Sequence, residues 1–279
     1  MIMLKRVKTL RFLRNEVVLI TGGSSGIGKS LALEAARRGA IVVVTARNKE
    51  KLDQVAKQCL LLSGRPAFAY QMDATSPDQI DEVLTQIRHQ VGAIDVLVNS
   101  AGLAEFAPAA EQSYKTMDQM TEVNLLALMY ISRCVARQMM DQGYGAIINL
   151  GSACGKIPTP NSAAYSATKA GVIQFDNVLR MEVADYGVQV LTVNPGPVNT
   201  PFFDKADQDG SYRAHLPKWM FIEPDELARR IWNNVGYKTR EINVPGYVAY
   251  FGWAYQVFPG LGDWAIKKFF DFQQNKKEL

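Results

Sequence analysis

Thr21-Gly22-Gly23-Ser24-Ser25-Gly26-Ile27-Gly28 is the stretch that decides the fold. The residues before it, 17–21, read VVLIT, a short apolar run rich in β-branched side chains. The residues after it, 27–38, carry apolar side chains at helical spacing. The chain must therefore turn sharply from strand to helix over a few residues. Glycine allows that turn, and it lets a pyrophosphate approach the backbone and the free N–H groups of the helix end. A glycine pattern alone says little, but one that follows a strand and opens a helix has the context that dinucleotide binding needs.

Outward from this turn the pattern repeats. Strands are expected at 17–21, 41–45, 67–71, 95–99, 146–150, 188–194 and near 241–247. Helices are expected at 27–38, 49–62, 77–91, about 114–142, about 163–186 and 224–235. Continuous apolar strands alternating with helices predict a parallel sheet covered on both faces. The expectation is a single α/β domain of Rossmann type, a doubly wound seven-stranded parallel sheet. No linker, internal repeat or low-complexity tract divides the 279 residues.

Composition narrows the function. The net charge is +4, and Lys5, Arg6, Lys8, Arg11 and Arg14 crowd the first 14 residues, so the remaining body is close to neutral. A neutral body argues against nucleic acid as a partner. The basic arm reads first as a solvated lead-in to the first strand, with an anionic membrane surface as the alternative. Cys59, Cys134 and Cys154 lie too far apart for a disulfide framework, and reduced thiols imply a cytoplasmic setting. No metal site is expected from two histidines without ligand spacing. The first 14 residues contain no long apolar run, so no signal peptide is expected.

The second strand ends in Ala46-Arg47-Asn48, with no acid at its tip. An acid there would bind a ribose 2′-hydroxyl, whereas the planar fork of Arg47 matches a 2′-phosphate. Ser24 and Ser25 add hydroxyl donors. NADP(H) is therefore preferred over NAD(H). Asp73, past the third strand, is open to two readings: a partner for the adenine amino group, or a cap for the next helix in competition with Ser76 and Asp78.

Tyr165 and Lys169 stand four apart in the helical stretch Tyr-Ser-Ala-Thr-Lys, on one face. Ser152 follows the strand at 146–150. Asn124 sits inside the long helix among Val123, Leu125 and Leu126, an unusual place for an amide.

With these residues in view, the chain resembles the classical short-chain dehydrogenase/reductase family. The matching elements are Thr21-x-x-x-Gly26-x-Gly28, Asn99-Ser100-Ala101-Gly102, Asn124, Ser152, Tyr165-x-x-x-Lys169 and Pro195-Gly196-Pro197-Val198-Asn199-Thr200. They follow family order and spacing from about residue 16 to 250, with Ser100 a small departure. Residues 22–29 and 45–48 also resemble 3-ketodihydrosphingosine reductases and hydroxysteroid dehydrogenases.

The resemblance implies a set of roles. Tyr165 is the general acid in carbonyl reduction, and Lys169 lowers its pKa and holds the nicotinamide ribose. Ser152 hydrogen-bonds the substrate oxygen, and Asn124 holds a water that links Lys169 to solvent. The dinucleotide lies against Gly22, Ser24, Ser25, Gly26, Ile27, Gly28, Arg47, Asp73, Asn99, Ala101, Gly102, Tyr165, Lys169, Pro195, Gly196, Val198 and Thr200, with Thr200 on the carboxamide. The implied reaction moves a hydride between NADP(H) and a carbonyl or secondary alcohol. An NAD-dependent alcohol dehydrogenase and a non-catalytic NADP-binding scaffold are the alternatives. Arg47 disfavours the first, and the complete Ser152, Tyr165 and Lys169 set disfavours the second.

The implied organisation is a basic arm at 1–15, a Rossmann domain at 16–250 with a substrate lid about 197–222, and an aromatic-rich helical extension at 251–279. The lid carries Phe202, Phe203 and Trp219 as substrate contacts, together with Tyr212, Met220 and Phe221, which points either to a lipophilic ketone or to ordinary packing of the lid. Residues 242–262 hold no charge but are broken by Pro245, Pro259 and glycines, which rejects a simple transmembrane helix. Beyond them Leu261, Ala265, Ile266, Phe269 and Phe272 share one helical face. That face reads as cover for a subunit interface or for the protein's own pocket, ahead of an interfacial membrane helix. A homodimer or homotetramer formed through 114–142 and 163–186 is expected, with the N- and C-terminal segments as the route to any peripheral membrane contact.

Overall fold

The computed structural model describes residues 10–207, 210–214 and 216–275. Lys5, Arg6, Lys8 and the Phe272 side chain lie outside the described part. Seven strands run in parallel: β1 (Val17–Thr21), β2 (Ile41–Ala46), β3 (Ala67–Gln71), β4 (Val96–Asn99), β5 (Gly145–Leu150), β6 (Val188–Pro195) and β7 (Glu241–Val244). Their order across the sheet is β3-β2-β1-β4-β5-β6-β7. The direction of winding reverses between β1 and β4, so the carboxyl ends of these two strands open a crevice. Thr21 pairs with Asn99 at that edge.

The covering helices are α1 (Gly26–Arg37), α2 (Lys49–Ser63), α3 (Pro77–Gln90), α4 (Tyr114–Thr121), α5 (Ala127–Gln142) and α6 (Ala163–Val183). Then come α7 (Phe202–Ala206), α8 (Ser211–Ala214), α9 (Pro224–Trp232), α10 (Tyr247–Val257) and α11 (Pro259–Asn275). Each central strand is apolar on both faces because each face is roofed. From β1, Val18 and Ile20 join Leu31, Ala35 and Ile231 in one core layer. Val17 and Leu19 join Ile131, Leu179 and Ile87 in the other. Such period-2 division of a wholly apolar strand is what a doubly covered sheet requires.

Local signals place the helix ends. Asn48 caps α2 by accepting from Lys51 N at 2.8 Å, and Gly64 closes it at φ +63°. Ser76 caps α3, with Pro77 in the first turn.

Two elements differ from the sequence expectation. The helix expected at 114–142 contains a π-helical turn, Glu122–Leu126, between α4 and α5. The extra residue in that turn accompanies the inward-turned Asn124, and such turns often accompany functional sites. The last strand stops at Val244 instead of running on to 247, because Pro245 has no N–H to give to a ladder. Helix α10 begins at Tyr247, so the boundary drawn at 250 falls inside a helix.

The lid leaves and rejoins the body at one place. Asn199 N donates to Ile222 O at 2.9 Å, and Ile222 N donates to Pro197 O at 2.9 Å. Within it, Asp207 accepts from Tyr212 N at 2.9 Å and from Arg213 N, fixing the short α8. Phe106 N donates to Ala206 O at 2.8 Å and ties the lid to the loop after β4.

Candidate active site

Strand ends β1, β4, β5 and β6 deliver their following loops into one continuous cavity of about 1300 Å³. That exceeds the ~300–1,000 Å³ of an ordinary small-ligand pocket, so there is room for a dinucleotide and a second molecule. At one end lie Gly22, Ser24, Ser25, Gly26, Ile27, Gly28, Arg47, Asp73, Ala101 and Gly102. Further in lie Ser152, Tyr165, Lys169, Pro195, Gly196, Val198 and Thr200.

The residues present fit a pyrophosphate. Helix α1 has no side-chain cap and no acid in its first turn, so its leading N–H groups are left for a ligand. Gly22 has φ +66°, and a Cβ there would stand 2.8 Å from the Ala101 backbone. A Cβ on Gly28 would stand 2.4 Å from Gly22 O. The turn is thus compact enough for backbone to meet phosphate. Thr21 Oγ1 accepts from Ser100 N at 3.1 Å and Ala101 N at 3.2 Å, which fixes the β4 loop beside it.

Arg47 is exposed at the cavity mouth, and no hydrogen bond from its side chain is present among the described residues. Asp73 also faces the cavity. It accepts from Thr75 N at 3.0 Å and Thr75 Oγ1 at 2.8 Å, while Ser76 caps α3. The capping alternative for Asp73 is thereby removed. Its carboxyl is held below the usual range, first by the Thr75 N–H and also by the Arg47 charge.

Three of the catalytic candidates converge from two elements. Ser152 follows β5, and Tyr165 and Lys169 occupy successive turns of α6. The Ser152 hydroxyl acts on the Tyr165 phenol and favours its ionised form, and Ser152 Oγ accepts from Cys154 N at 3.1 Å. Lys169 Nζ lies 5.8 Å from the centre of the Tyr165 ring and donates to Leu150 O at 2.7 Å. Burial governs both titrations. It raises the Tyr165 phenol above its ordinary value, with the Cys154 thiol adding to the rise and Ser152 opposing it. It lowers the Lys169 ammonium to about 8. The lowering of the tyrosine that the resemblance implies is not seen in the free protein, where burial is the largest effect on the phenol.

Asn124 is fully buried, in the π turn. Its Oδ1 accepts from Leu103 N at 2.8 Å, and its Nδ2 donates to Leu103 O at 2.8 Å and to Thr168 Oγ1 at 3.2 Å. Both amide donors are therefore taken, by Leu103 O and Thr168 Oγ1.

Two expected contacts lie elsewhere. Asn99 does not line the cavity. Its Nδ2 turns inward to Ser132 Oγ at 2.9 Å and Asn149 Oδ1 at 2.8 Å, because a strand's alternation directs it into the core. Trp219 is 73% exposed and stands outside the cavity lining. It sits on the single 3₁₀ turn Lys218–Met220, whose Met220 faces inward in its place.

Other residues were not singled out from sequence. Phe106 stacks on Tyr212 at 3.9 Å and meets the Tyr165 ring edge-on at 5.8 Å. Tyr212 and Thr159 hydroxyls lie 3.0 Å apart. Phe106 follows the Asn99–Gly102 motif on a loop at a strand's carboxyl end, the placement that signals a binding residue. Thr159 carried no comparable signal. Phe202, 6.0 Å from the Tyr165 ring, and Phe203 do line the cavity. Cys154 is only partly buried and also faces the cavity.

This arrangement places a protonated phenol and a hydroxyl together beside a phosphate-binding turn. The sequence matches the short chain dehydrogenase family over residues 16–210. The chain belongs to the short-chain dehydrogenase family. It is an oxidoreductase of the CH–OH/C=O couple that uses a nicotinamide dinucleotide. It is 34% identical over 221 residues to a 3-oxoacyl-(acyl-carrier-protein) reductase of Thermotoga maritima, covering 78% of this chain and 89% of that one. It is 33% identical over 194 residues to an uncharacterized oxidoreductase of Staphylococcus epidermidis, covering 70% and 83%. Among solved structures, a short-chain dehydrogenase from Sphingobium yanoikuyae in complex with NADPH superposes with a TM-score of 0.76 at 30% identity, covering 90% of this chain and 95% of that one. An alcohol dehydrogenase from Thermococcus sibiricus complexed with 5-hydroxy-NADP gives 0.73 at 25% identity, covering 82% and 96%.

Proposed function

We propose that this short-chain dehydrogenase reduces a lipophilic ketone with NADPH. The observation that carries the reading is a buried, protonated Tyr165 at the base of a cavity whose far wall is aromatic. Burial keeps the phenol in its protonated form, which carries the proton that a nascent alkoxide needs in reduction.

Bound NADPH supplies the hydride. Gly22, Ser24, Ser25, Gly26, Ile27 and Gly28 hold its pyrophosphate, Arg47 its 2′-phosphate and Asp73 its adenine. Ala101, Gly102, Pro195, Gly196, Val198 and Thr200 flank the nicotinamide end. Ser152 donates to the carbonyl oxygen and stabilises charge developing there. Tyr165 gives that oxygen its proton. Lys169, braced on Leu150 O, provides positive charge beneath the phenol. Phe202 and Phe203 exclude water from the reacting carbon. Tyr247, Tyr250, Phe251, Tyr255, Phe258 and Phe269, from α10 and α11, extend the apolar wall.

A homodimer or homotetramer packed through α4–α5 and α6, in the cytoplasm with peripheral membrane contact, completes the reading. A monomer by light scattering at micromolar concentration overturns the oligomer.

The test is oxidation of NADPH and NADH by the purified protein across ketones of rising chain length and bulk. Faster NADPH turnover on long or polycyclic ketones is the expected result. Preference for NADH overturns the role of Arg47, and activity confined to small polar carbonyls overturns the lipophilic substrate.

A further inference from the structure

Helices α10 and α11 form a hairpin with apolar side chains on two faces, α10 carrying no charge and the charged residues of α11 following its first turn in the sequence. One face closes the cavity through Phe251, Ala254, Tyr255, Ile266 and Phe269. The other carries Trp253, Val257 and Trp264, which are 59%, 47% and 58% exposed and do not line the cavity. A helix apolar all round is either buried or set in lipid. No helix among the described residues is long and apolar enough to cross a membrane, so the geometry available is a hairpin lying at the surface of one.

Four features make a bilayer the occupant of that outer face. The chain reverses between Val257 and Pro259, with Tyr255 of α10 against Gly262 and Asp263 of α11, and Phe258 at the turn is exposed. No charged residue occurs from 242 to 262. The first acid, Asp263, accepts from Tyr255 OH at 3.0 Å and ties the two helices together. Past the tip, Lys267 and Lys268 are exposed on the next turn, and the Lys268 ammonium lies 4.9 Å over the Trp264 ring. Tryptophan with lysine close behind is the arrangement that suits the boundary between acyl chains and anionic headgroups. Gly262 holds the hairpin close, since a Cβ there would stand 2.4 Å from the Tyr255 ring.

The same tip is the mouth of the cavity. Phe258 and Leu261 line it and are themselves exposed. We propose that the α10–α11 hairpin docks on an anionic phospholipid bilayer through Trp253, Val257, Trp264, Lys267 and Lys268, and that the ketone enters from the bilayer between Phe258 and Leu261. The entry route rests on the lipophilic-ketone reading; the docking does not. The described start of the basic arm, Arg11 and Arg14, packs near Gly236 and Gly39, which precede β7 and β2 at the amino ends of the strands, whereas the hairpin follows the carboxyl end of β7, so the arm takes no part in this contact.

The test is co-sedimentation of the full chain with vesicles of phosphatidylcholine, alone or mixed with phosphatidylserine. The wild type pellets with the mixed vesicles and less with phosphatidylcholine alone. The triple variant Trp253→Ser, Val257→Ser, Trp264→Ser binds at least about tenfold more weakly, while NADPH oxidation with a short water-soluble ketone is unchanged and shows that it is folded. A Lys267→Gln, Lys268→Gln variant loses the preference for phosphatidylserine. With a long-chain ketone carried in vesicles, the triple variant raises KM and leaves kcat alone. Docking is overturned if the wild type stays in solution with both vesicles, or if the triple variant pellets like the wild type. It is equally overturned if the triple substitution only lowers the mass by light scattering, which makes a second copy the occupant. If no ketone of any length is reduced, the functional reading fails, and sedimentation still decides the docking.

Discussion

Lys169 donates from its ammonium to the carbonyl oxygen of Leu150 at 2.7 Å. The bond joins α6 to the end of β5 and so fixes Tyr165 against Ser152. It also gives a pH dependence. Burial lowers Lys169 to about 8 and keeps Tyr165 protonated beyond that. The ammonium is present below about pH 8 and is lost as pH rises through it. Since kcat/KM reports the free enzyme, kcat/KM for reduction is expected to fall through that value. A profile flat up to the ordinary lysine value of 10.5 removes Lys169 from this role.

Tyr165→Phe deletes the proton donor and leaves the ring packed on Phe106. Reductive turnover is expected to fall by about 10²–10⁴-fold, with NADPH affinity kept in a binding titration. A variant that still turns over fully shows that another group supplies the proton.

Arg47→Ala removes the cation at the tip of β2. NADPH affinity is expected to weaken by about ten- to a hundredfold, the worth of a charge-assisted pair, while NADH affinity stays within about twofold. Equal weakening of both cofactors assigns Arg47 to something other than the 2′-phosphate.

Phe202 faces the cavity and Trp219 faces solvent. Phe202→Ala is expected to raise KM for a bulky ketone several-fold, and Trp219→Ala to leave kcat/KM unchanged. The reverse result returns Trp219 to the substrate.

Behind the site, a buried chain of polar groups crosses the sheet from Asn99 to Asn149 to Asp176. Asn149 Nδ2 donates to Asp176, and Thr192 Oγ1 donates to its other oxygen at 2.7 Å. Asp176→Ala strands both donors and is expected to cost about 2–4 kcal/mol, or roughly 5–10 °C in Tm. Burial raises Asp176 to about 6, against the pull of its hydrogen bonds and Arg180. The folded state therefore disfavours the carboxylate. The cost is fully present above about pH 6 and is relieved as pH falls toward the ordinary value of 3.8. An Asp176→Asn variant loses that slope in denaturant titrations across the same window.

The sequence alone determined the sheet, the glycine turn after β1 and the shared helical face of Tyr165 and Lys169. Those features are local: a strand doubly buried along its length must be apolar throughout, a turn of two or three residues needs glycine, and four residues of helix bring Tyr165 and Lys169 to one face. What only the tertiary structure decided depends on where side chains meet across distant segments. Asn99 and Asn124 stand in the expected motifs, but the pleat of β4 and the π turn direct their amides to Asn149 and Leu103. Trp219 shares a lid with Phe202 and faces away because one tight turn rotates it outward. The titration of Tyr165 follows from how deeply the surrounding segments bury it, a quantity no spacing records. The split of the C-terminal aromatics into a cavity wall and an outer face arises from the packing of two short helices at Gly262 and Tyr255, so composition showed the aromatics and the fold gave each its side.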